Sequence, residues 1–246
     1  MNSAKEHYDQ HLGAIYSWMA GDENAALERN RSFFRQVALD VASKGLAIDL
    51  GCGTGFQSIP LAEFGYSVVA IDSCAVLLSQ LRERATILPI RTIHDDMLNF
   101  TRYISDQAQL VTCMGDTLTH LDSLDAVYNL MSEVGRKLVE GGMLVLTFRD
   151  YVSVELRGHQ RFIPVRSDDT KILTCFLEYN QEFVEVYDLL HHKVGTQWVL
   201  SASSYRKLRL DKNWLIKQMS ELGLTIVRDT FDSGMVSIVA KKIDSA

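Results

Sequence analysis

Residues 47–73 read AIDLGCGTGFQSIPLAEFGYSVVAIDS. The first residues form a short apolar strand, and Gly51, Gly53 and Gly55 form a turn. An apolar stretch follows at 55–64, closed by Gly65, and a Val- and Ile-rich run at 67–72 ends in an acid, Asp72. Strand, glycine turn, helix and second strand make one βαβ unit, with the right-handed crossover that parallel strands require. A glycine turn that opens a helix exposes backbone N–H groups, and such a turn usually receives a nucleotide-like ligand.

The alternation continues outward. Apolar positions Ala26, Phe33, Phe34, Val37, Ala38 and Val41 predict an amphipathic helix over 23–43. Further helices are expected over 74–85, 97–104 and 123–139, with strands around 88–93, 109–114 and 143–148. Elements in this order give an α/β fold with a doubly wound, mostly parallel sheet covered on both faces. After Phe148 the pattern changes. KILTCFLEYN (171–180), FVEVYDLLHHKV (183–194) and TQWVLSASSYRKLRL (196–210) are strand-like, with no helix between them. They predict an antiparallel β insertion after the fifth strand. A helix over 212–222, stopped by Gly223, precedes two strands, 224–231 and 235–241, joined as a hairpin by DSG. The expected organisation is one domain over 1–246, with a helical cover at 1–45 and a β cover at 151–210.

The chain has 246 residues, a formal charge of -6 and a pI near 5.6, which argues against a nucleic-acid surface. Its densest basic run, YRKLRL at 205–210, reads as the wet face of a strand. Cys52, Cys74, Cys113 and Cys175 stand far apart and read as reduced thiols. Charges interrupt the N-terminal segment, and no stretch approaches the roughly 20 apolar residues of a membrane span. A cytoplasmic protein is expected.

Three ligands compete for the turn. A P-loop needs GxxxxGK[ST], and no Lys follows these glycines. A dinucleotide fingerprint needs GxGxxG, but Phe56 stands at the third glycine. Asp49, at the strand end before the turn, would face and repel a pyrophosphate. S-adenosylmethionine (SAM) carries an ammonium for Asp49, a carboxylate for the exposed N–H groups and a ribose diol for Asp72, which can accept from both hydroxyls.

AIDLGCGTG together with Asp72 resembles the signature of class I SAM-dependent methyltransferases, and the order of elements and GGMLVLTF at 141–148 are similar to that family too. The resemblance implies a Rossmann-like seven-stranded sheet with an antiparallel last strand. By the same resemblance Asp49 helps hold the methionine amino group, and Gly51, Gly53 and Gly55 form the turn against which the methionine lies. Asp72 becomes the ribose ligand, while Asp96 and Met97 bracket adenine. Asp95 stands where the family often has Gly, which leaves Asp95 or Asp96 for the adenine. Met114 and Gly115 would line the cofactor. The stretch LVTCMGDTLTHL (110–121) has neither the NPPY-type motif of nucleic-acid amino methyltransferases nor a Pro-Cys pair. It looks like that of small-molecule methyltransferases, the glycine and sarcosine type among them.

The implied reaction moves a methyl group from SAM to N or O of a small-molecule acceptor. His120, at a strand's carboxyl end, is the first candidate base and Tyr16 the second. Tyr8 and Tyr16, with Trp18, are candidate lid residues over SAM; packing onto the domain is the alternative. Arg149 and Tyr151, flanking Asp150, are candidate acceptor contacts, Arg149 through a carboxylate. His7 and His11, at i and i+4, have no third ligand and read as a solvated helix face, so no metal is expected. His191 and His192 point to opposite faces of a strand, so at most one faces the crevice. A monomer or homodimer is expected. An NAD(P)-dependent oxidoreductase and a non-catalytic SAM-binding module are the alternative functions.

Overall fold

A computed structural model describes residues 4–37 and 45–243. Its first sheet has seven strands in the order β10-β11-β5-β4-β1-β2-β3. They are β1 (Leu46–Leu50), β2 (Ser67–Asp72), β3 (Ile90–His94), β4 (Ala108–Cys113), β5 (Leu138–Arg149), β10 (Leu224–Asp232) and β11 (Met235–Lys242). The first five run parallel, and β11 returns antiparallel against β5. β1, β2 and β4 read as near-continuous apolar runs because both sheet faces are covered, which is what the expected doubly wound architecture requires. The order reverses between β1 and β4, so the crevice outside their carboxyl ends is the natural ligand site.

Two apolar layers hold this sheet. Ile48, Leu50, Phe100, Val127, Met131, Leu146, Phe148 and Leu215 are fully buried on one side, and Phe34, Leu61, Tyr66, Leu78 and Leu81 on the other. The helices behind the second layer are α3 (Glu23–Gln36), α4 (Ser58–Glu63) and α5 (Ala75–Arg84). Asp22 caps α3 by accepting from the Ala25 N–H, and Ser123 does the same for Ala126 at the start of α6 (Leu124–Lys137). The expected continuation of α3 through Ala38 and Val41 lies outside the described residues.

Three boundaries differ from expectation. Helix α4 begins at Ser58 rather than at residue 55, because Gly51, Gly53 and Gly55 all have positive φ and cannot join a right-handed helix. α6 stops at Lys137, and 138–142 already belong to β5, whose pairing with β4 shifts register between Ala108 and Leu110. A strand at Phe162–Ser167, β6, had no counterpart in the sequence reading. It is the edge of the second sheet and carries Pro164 next to a register shift, where proline is tolerated.

The second sheet is antiparallel throughout, in the order β6-β7-β8-β9, with β7 at Lys171–Tyr179, β8 at Phe183–Val194 and β9 at Gln197–Leu208. The N-terminal segment lies against it: Leu12 packs with Leu173 and Leu190, flanked by Tyr8, Ile15, Tyr16, Trp18 and Met19. That segment is irregular, a short helix α1 (Ala4–His7), a single π turn (Tyr8–Leu12), a 3-10 turn (Gly13–Ile15) and α2 (Tyr16–Ala20). Among the described residues no helix is long and apolar enough to cross a membrane. All four cysteines are unpaired.

Candidate active site

The crevice begins at the glycine turn. Asp72 Oδ2 accepts from the Gly53 N–H at 2.7 Å and Oδ1 from the Cys74 N–H at 2.8 Å, so one carboxylate ties the turn to the start of α5. Two of its roughly four lone-pair directions are thereby used, and the rest are free for ligand hydroxyls. Burial is the main influence on its pKa, which lies above the ordinary value despite the two N–H donors. Gly51 and Gly53 serve different ends. A side chain at Gly51 would collide with Thr117 at 2.1 Å, whereas one at Gly53 would project into open space. Gly115, at the end of β4, also borders open space.

Asp49 is 1% exposed. Ser58 Oγ donates to its Oδ2 at 2.5 Å, and Thr112 Oγ1 to its Oδ1 at 2.8 Å. Burial pushes its pKa up to about 6, with the two hydroxyls working against that rise. Its negative charge acts on the crevice from behind the turn. Asp95 accepts from Asn99 Nδ2 at 3.0 Å, from the Asp96 N–H at 2.7 Å and from the Tyr103 hydroxyl. Asp96, more exposed, caps the following 3-10 turn through Oδ1 alone, accepting from the Leu98 N–H at 2.8 Å. Asp95 is therefore occupied within its own loop, and Asp96 keeps one oxygen uncommitted among the described residues. Met97 packs on the edge of the first apolar layer, and Met114 is buried in the second.

The N-terminal segment packs beside the turn. Tyr8 and Tyr16 lie ring to ring at 6.2 Å, and both hydroxyls are close enough to Asp72 to be affected by its charge. Burial pushes Tyr16 up to about 12 and Tyr8 well above its ordinary value, so both stay protonated donors at neutral pH. Arg84 joins this segment to the turn by donating to Ser17 Oγ at 3.1 Å and to the Thr54 carbonyl at 3.3 Å, and it pairs with Glu23.

The opposite wall is built on Asp116, which sequence reasoning missed. It is buried and held at φ 72, a left-handed conformation rare outside glycine. Its carboxylate accepts from the Arg149 backbone N–H at 2.9 Å, Thr119 Oγ1 at 2.9 Å and the Tyr151 hydroxyl at 3.0 Å, and it is ion-paired with Lys207. Tyr151 is thus buried with its hydroxyl engaged, and the Arg149 side chain is exposed at the end of β5. His120 meets the edge of the Tyr8 ring at 5.6 Å and stacks on Tyr205 at 5.4 Å. Its Nδ1 is buried without a hydrogen-bond partner among the described residues, and burial, with Lys207 and His7 nearby, holds its pKa well below 6.5.

Two readings of the sequence are corrected here. YRKLRL is not a wet face: Tyr205 and Lys207 are buried on one face of β9, Lys207 against Asp116, and Leu208 and Leu210 are buried in the first apolar layer. His7 is not on a solvated helix face: it is fully buried, with Nε2 at 2.9 Å from Asp188 Oδ2 and Nδ1 at 2.8 Å from Ser203 Oγ. Among the described residues no group of three or more potential ligands could hold a metal. Of the paired histidines of β8, His192 lies on the Asp188 side of the strand, close enough to His11 to influence it. The only signal for these partners is the period-two pattern Ser203, Tyr205, Lys207, legible once the strand's inner face is known.

Comparisons with known proteins bear on the domain and the fold. A family described as methyltransferase domain matches residues 47–142. A glycine/sarcosine N-methyltransferase of Aphanothece halophytica is 35% identical over 106 residues, 42% of this chain and 40% of that protein. The corresponding enzyme of Parasynechococcus marenigrum is 31% identical over 53% of this chain and 46% of its own. The chain thus spans less than half the length of these relatives. Solved structures extend the likeness to nearly every element. The SAM-bound amino pentose methyltransferase CalS10 of Micromonospora echinaspora matches with a TM-score of 0.76 at 14% identity, over 95% of this chain and 97% of that one. The CcbJ methyltransferase of Streptomyces caelestis matches with 0.77 at 19% identity, over 96% and 98%. At such identities the likeness is one of fold. Residues 47–142 of this chain are thus similar to a methyltransferase domain, and the chain as a whole shares the seven-stranded fold of these solved methyltransferases.

Proposed function

We propose that the whole chain, acting as one domain with covers at 1–45 and 151–210, methylates a nitrogen of a small-molecule amine and uses SAM as the donor. The observation that carries this reading is the open space before Gly53 and Gly115, flanked by Asp72 and roofed by Tyr8 and Tyr16. The residues fit the cofactor: Asp72 for the ribose diol, the turn at Gly51, Gly53 and Gly55 for the methionine, Asp49 for its ammonium, and Asp96 with Met97 for adenine. Met114 would line the methionine end. When bound, SAM supplies a methyl already activated by its sulfonium.

The protein's own task is to align the acceptor and exclude water. Tyr8, His120 and Tyr205 form an aromatic wall beside the crevice. A His held well below pH 6.5 is a poor base for a hydroxyl, but its neutral ring has one nitrogen able to accept a hydrogen bond. That suits a neutral amine, whose N–H can donate to His120 while its lone pair faces the methyl. Tyr16, protonated, donates rather than removes a proton. Arg149, one strand end away, would meet the acceptor's outer groups through a carboxylate, whereas Tyr151, buried with its hydroxyl on Asp116, would support that wall from behind. A cytoplasmic setting and a monomer or homodimer go with this reading, as does the support from relatives named N-methyltransferases.

The test is production of S-adenosylhomocysteine with a panel of amines and a matched panel of alcohols and phenols. Turnover confined to amines is expected. Turnover of hydroxyl acceptors alone would refute the acceptor class, and reduction of NAD or NADP without SAM turnover would refute the reaction.

A further inference from the structure

The inner face of β9 carries Ser203, Tyr205 and Lys207 in register, and each reaches a different part of the crevice wall. Ser203 holds His7 Nδ1, while Asp188, its paired neighbour on β8, holds His7 Nε2. Lys207 pairs with Asp116 in the loop after β4. Tyr205 stands between them, and its ring stacks with the His7 ring at 4.2 Å and 29° and with the His120 ring at 5.4 Å and 29°. Three rings therefore form one column, from the N-terminal segment to the residue proposed to meet the acceptor. Tyr8, next to His7 in the chain, closes the column edge-on against His120. The base of the column is fixed firmly: Asp188 also accepts from Cys175 Sγ at 2.7 Å, and His7 and Asp188 are both buried.

We propose that His7 is a positioning residue. Through the Tyr205 ring it sets the tilt and the dry surroundings of His120, so that docking of the N-terminal segment and alignment of the acceptor are one event. This rests on the reading above that His120 faces the acceptor. Partner geometry gives the arrangement at His7: with Nε2–H donated to the Asp188 carboxylate, Nδ1 accepts from the Ser203 hydroxyl. The groups facing His7 are Asp188 from β8, Ser203 and Tyr205 from β9, and Tyr8 and His11 from the π turn. Those facing His120 are Tyr8, Tyr205, Lys207 and His7. Removing His7 takes away part of the dry layer that holds His120 neutral.

The test is the nitrogen-detected NMR titration of His120 in the full chain, without cofactor or acceptor, in the parent and in His7→Ala, Tyr205→Leu and Tyr205→Phe. In the first two variants the His120 ring signals should move, and its titration midpoint should rise by about one pH unit towards the ordinary His value. Tyr205→Phe, which keeps the ring, should titrate like the parent. With SAM and an active amine, His7→Ala should lose about tenfold in kcat while SAM affinity stays within about threefold. If His7→Ala does not fold, His7→Gln, polar but without a ring, is read in its place. Unchanged His120 signals and midpoint in folded His7 and Tyr205→Leu variants would overturn the proposal. A parent that makes no S-adenosylhomocysteine would instead overturn the proposed function, and the titration would still be readable.

Discussion

The two walls of the crevice are built in opposite ways. The wall proposed for the cofactor comes from one contiguous stretch: Asp49, the three glycines and Asp72 lie within 24 residues, and hydrogen bonds inside that stretch shape the turn. The wall proposed for the acceptor comes from residues scattered over the chain. His7 and Tyr8 come from the N-terminal segment, Asp116 and His120 from one loop, Tyr151 from another, and Asp188, Tyr205 and Lys207 from the second sheet. A backbone-built cradle needs glycines at fixed positions and tolerates little change. A side-chain wall hung on an antiparallel cover can be altered one residue at a time, so under the proposed function it is the wall that would set acceptor choice.

The sharpest way to break the comparison is at the turn. Gly53→Val places a branched side chain in the open space and strains a positive φ, so SAM affinity should fall by at least a hundredfold, measured by calorimetry. On the other wall the expected damage is to stability. Lys207→Met leaves the Asp116 carboxylate buried without its cation and should cost about 3 kcal/mol in denaturant unfolding, whereas Lys207→Met with Asp116→Asn should recover most of it. Recovery failing would mean that Asp116 acts through more than its charge.

Asp49 joins the two kinds of effect. Its carboxyl is raised to about 6 when folded, against an ordinary value of 3.8. The folded state therefore holds this proton more tightly than the unfolded one. The resulting stability is fully present below pH 3.8 and is lost as pH rises through 6, an amount of about 3 kcal/mol at most. Asp49→Asn should remove that loss, so at pH 8 the ligand-free variant should melt no lower than the parent, while SAM binding weakens several-fold. The smallest effect belongs to Trp18, which is covered by Arg166 and Lys171 and donates to Asp168 near the surface. Trp18→Ala should change stability by about 1 kcal/mol or less and leave SAM affinity within about twofold.

Sequence reading reached the first sheet because apolar runs and glycine punctuation are local signals, and it placed Asp49 and Asp72 beside the turn because both stand near strand ends. It missed β6, where Pro164 disguised an edge strand. It also read 205–210 as solvated, because basic residues alternating with apolar ones look alike whether the cations meet water or a buried carboxylate. His7 carried no local mark at all. Its partners are 181 and 196 residues away, and only the antiparallel pairing of β8 with β9 brings Asp188 and Ser203 side by side.

The central claim is that Asp72 and the turn it shapes hold SAM. Calorimetric titration of SAM into the parent and into Asp72→Ala tests it directly. The account predicts saturable one-site binding to the parent and an affinity at least tenfold weaker in the folded variant, because a carboxylate paired to a diol is lost. Equal affinity in the two proteins, or no binding of SAM to the parent, would contradict it.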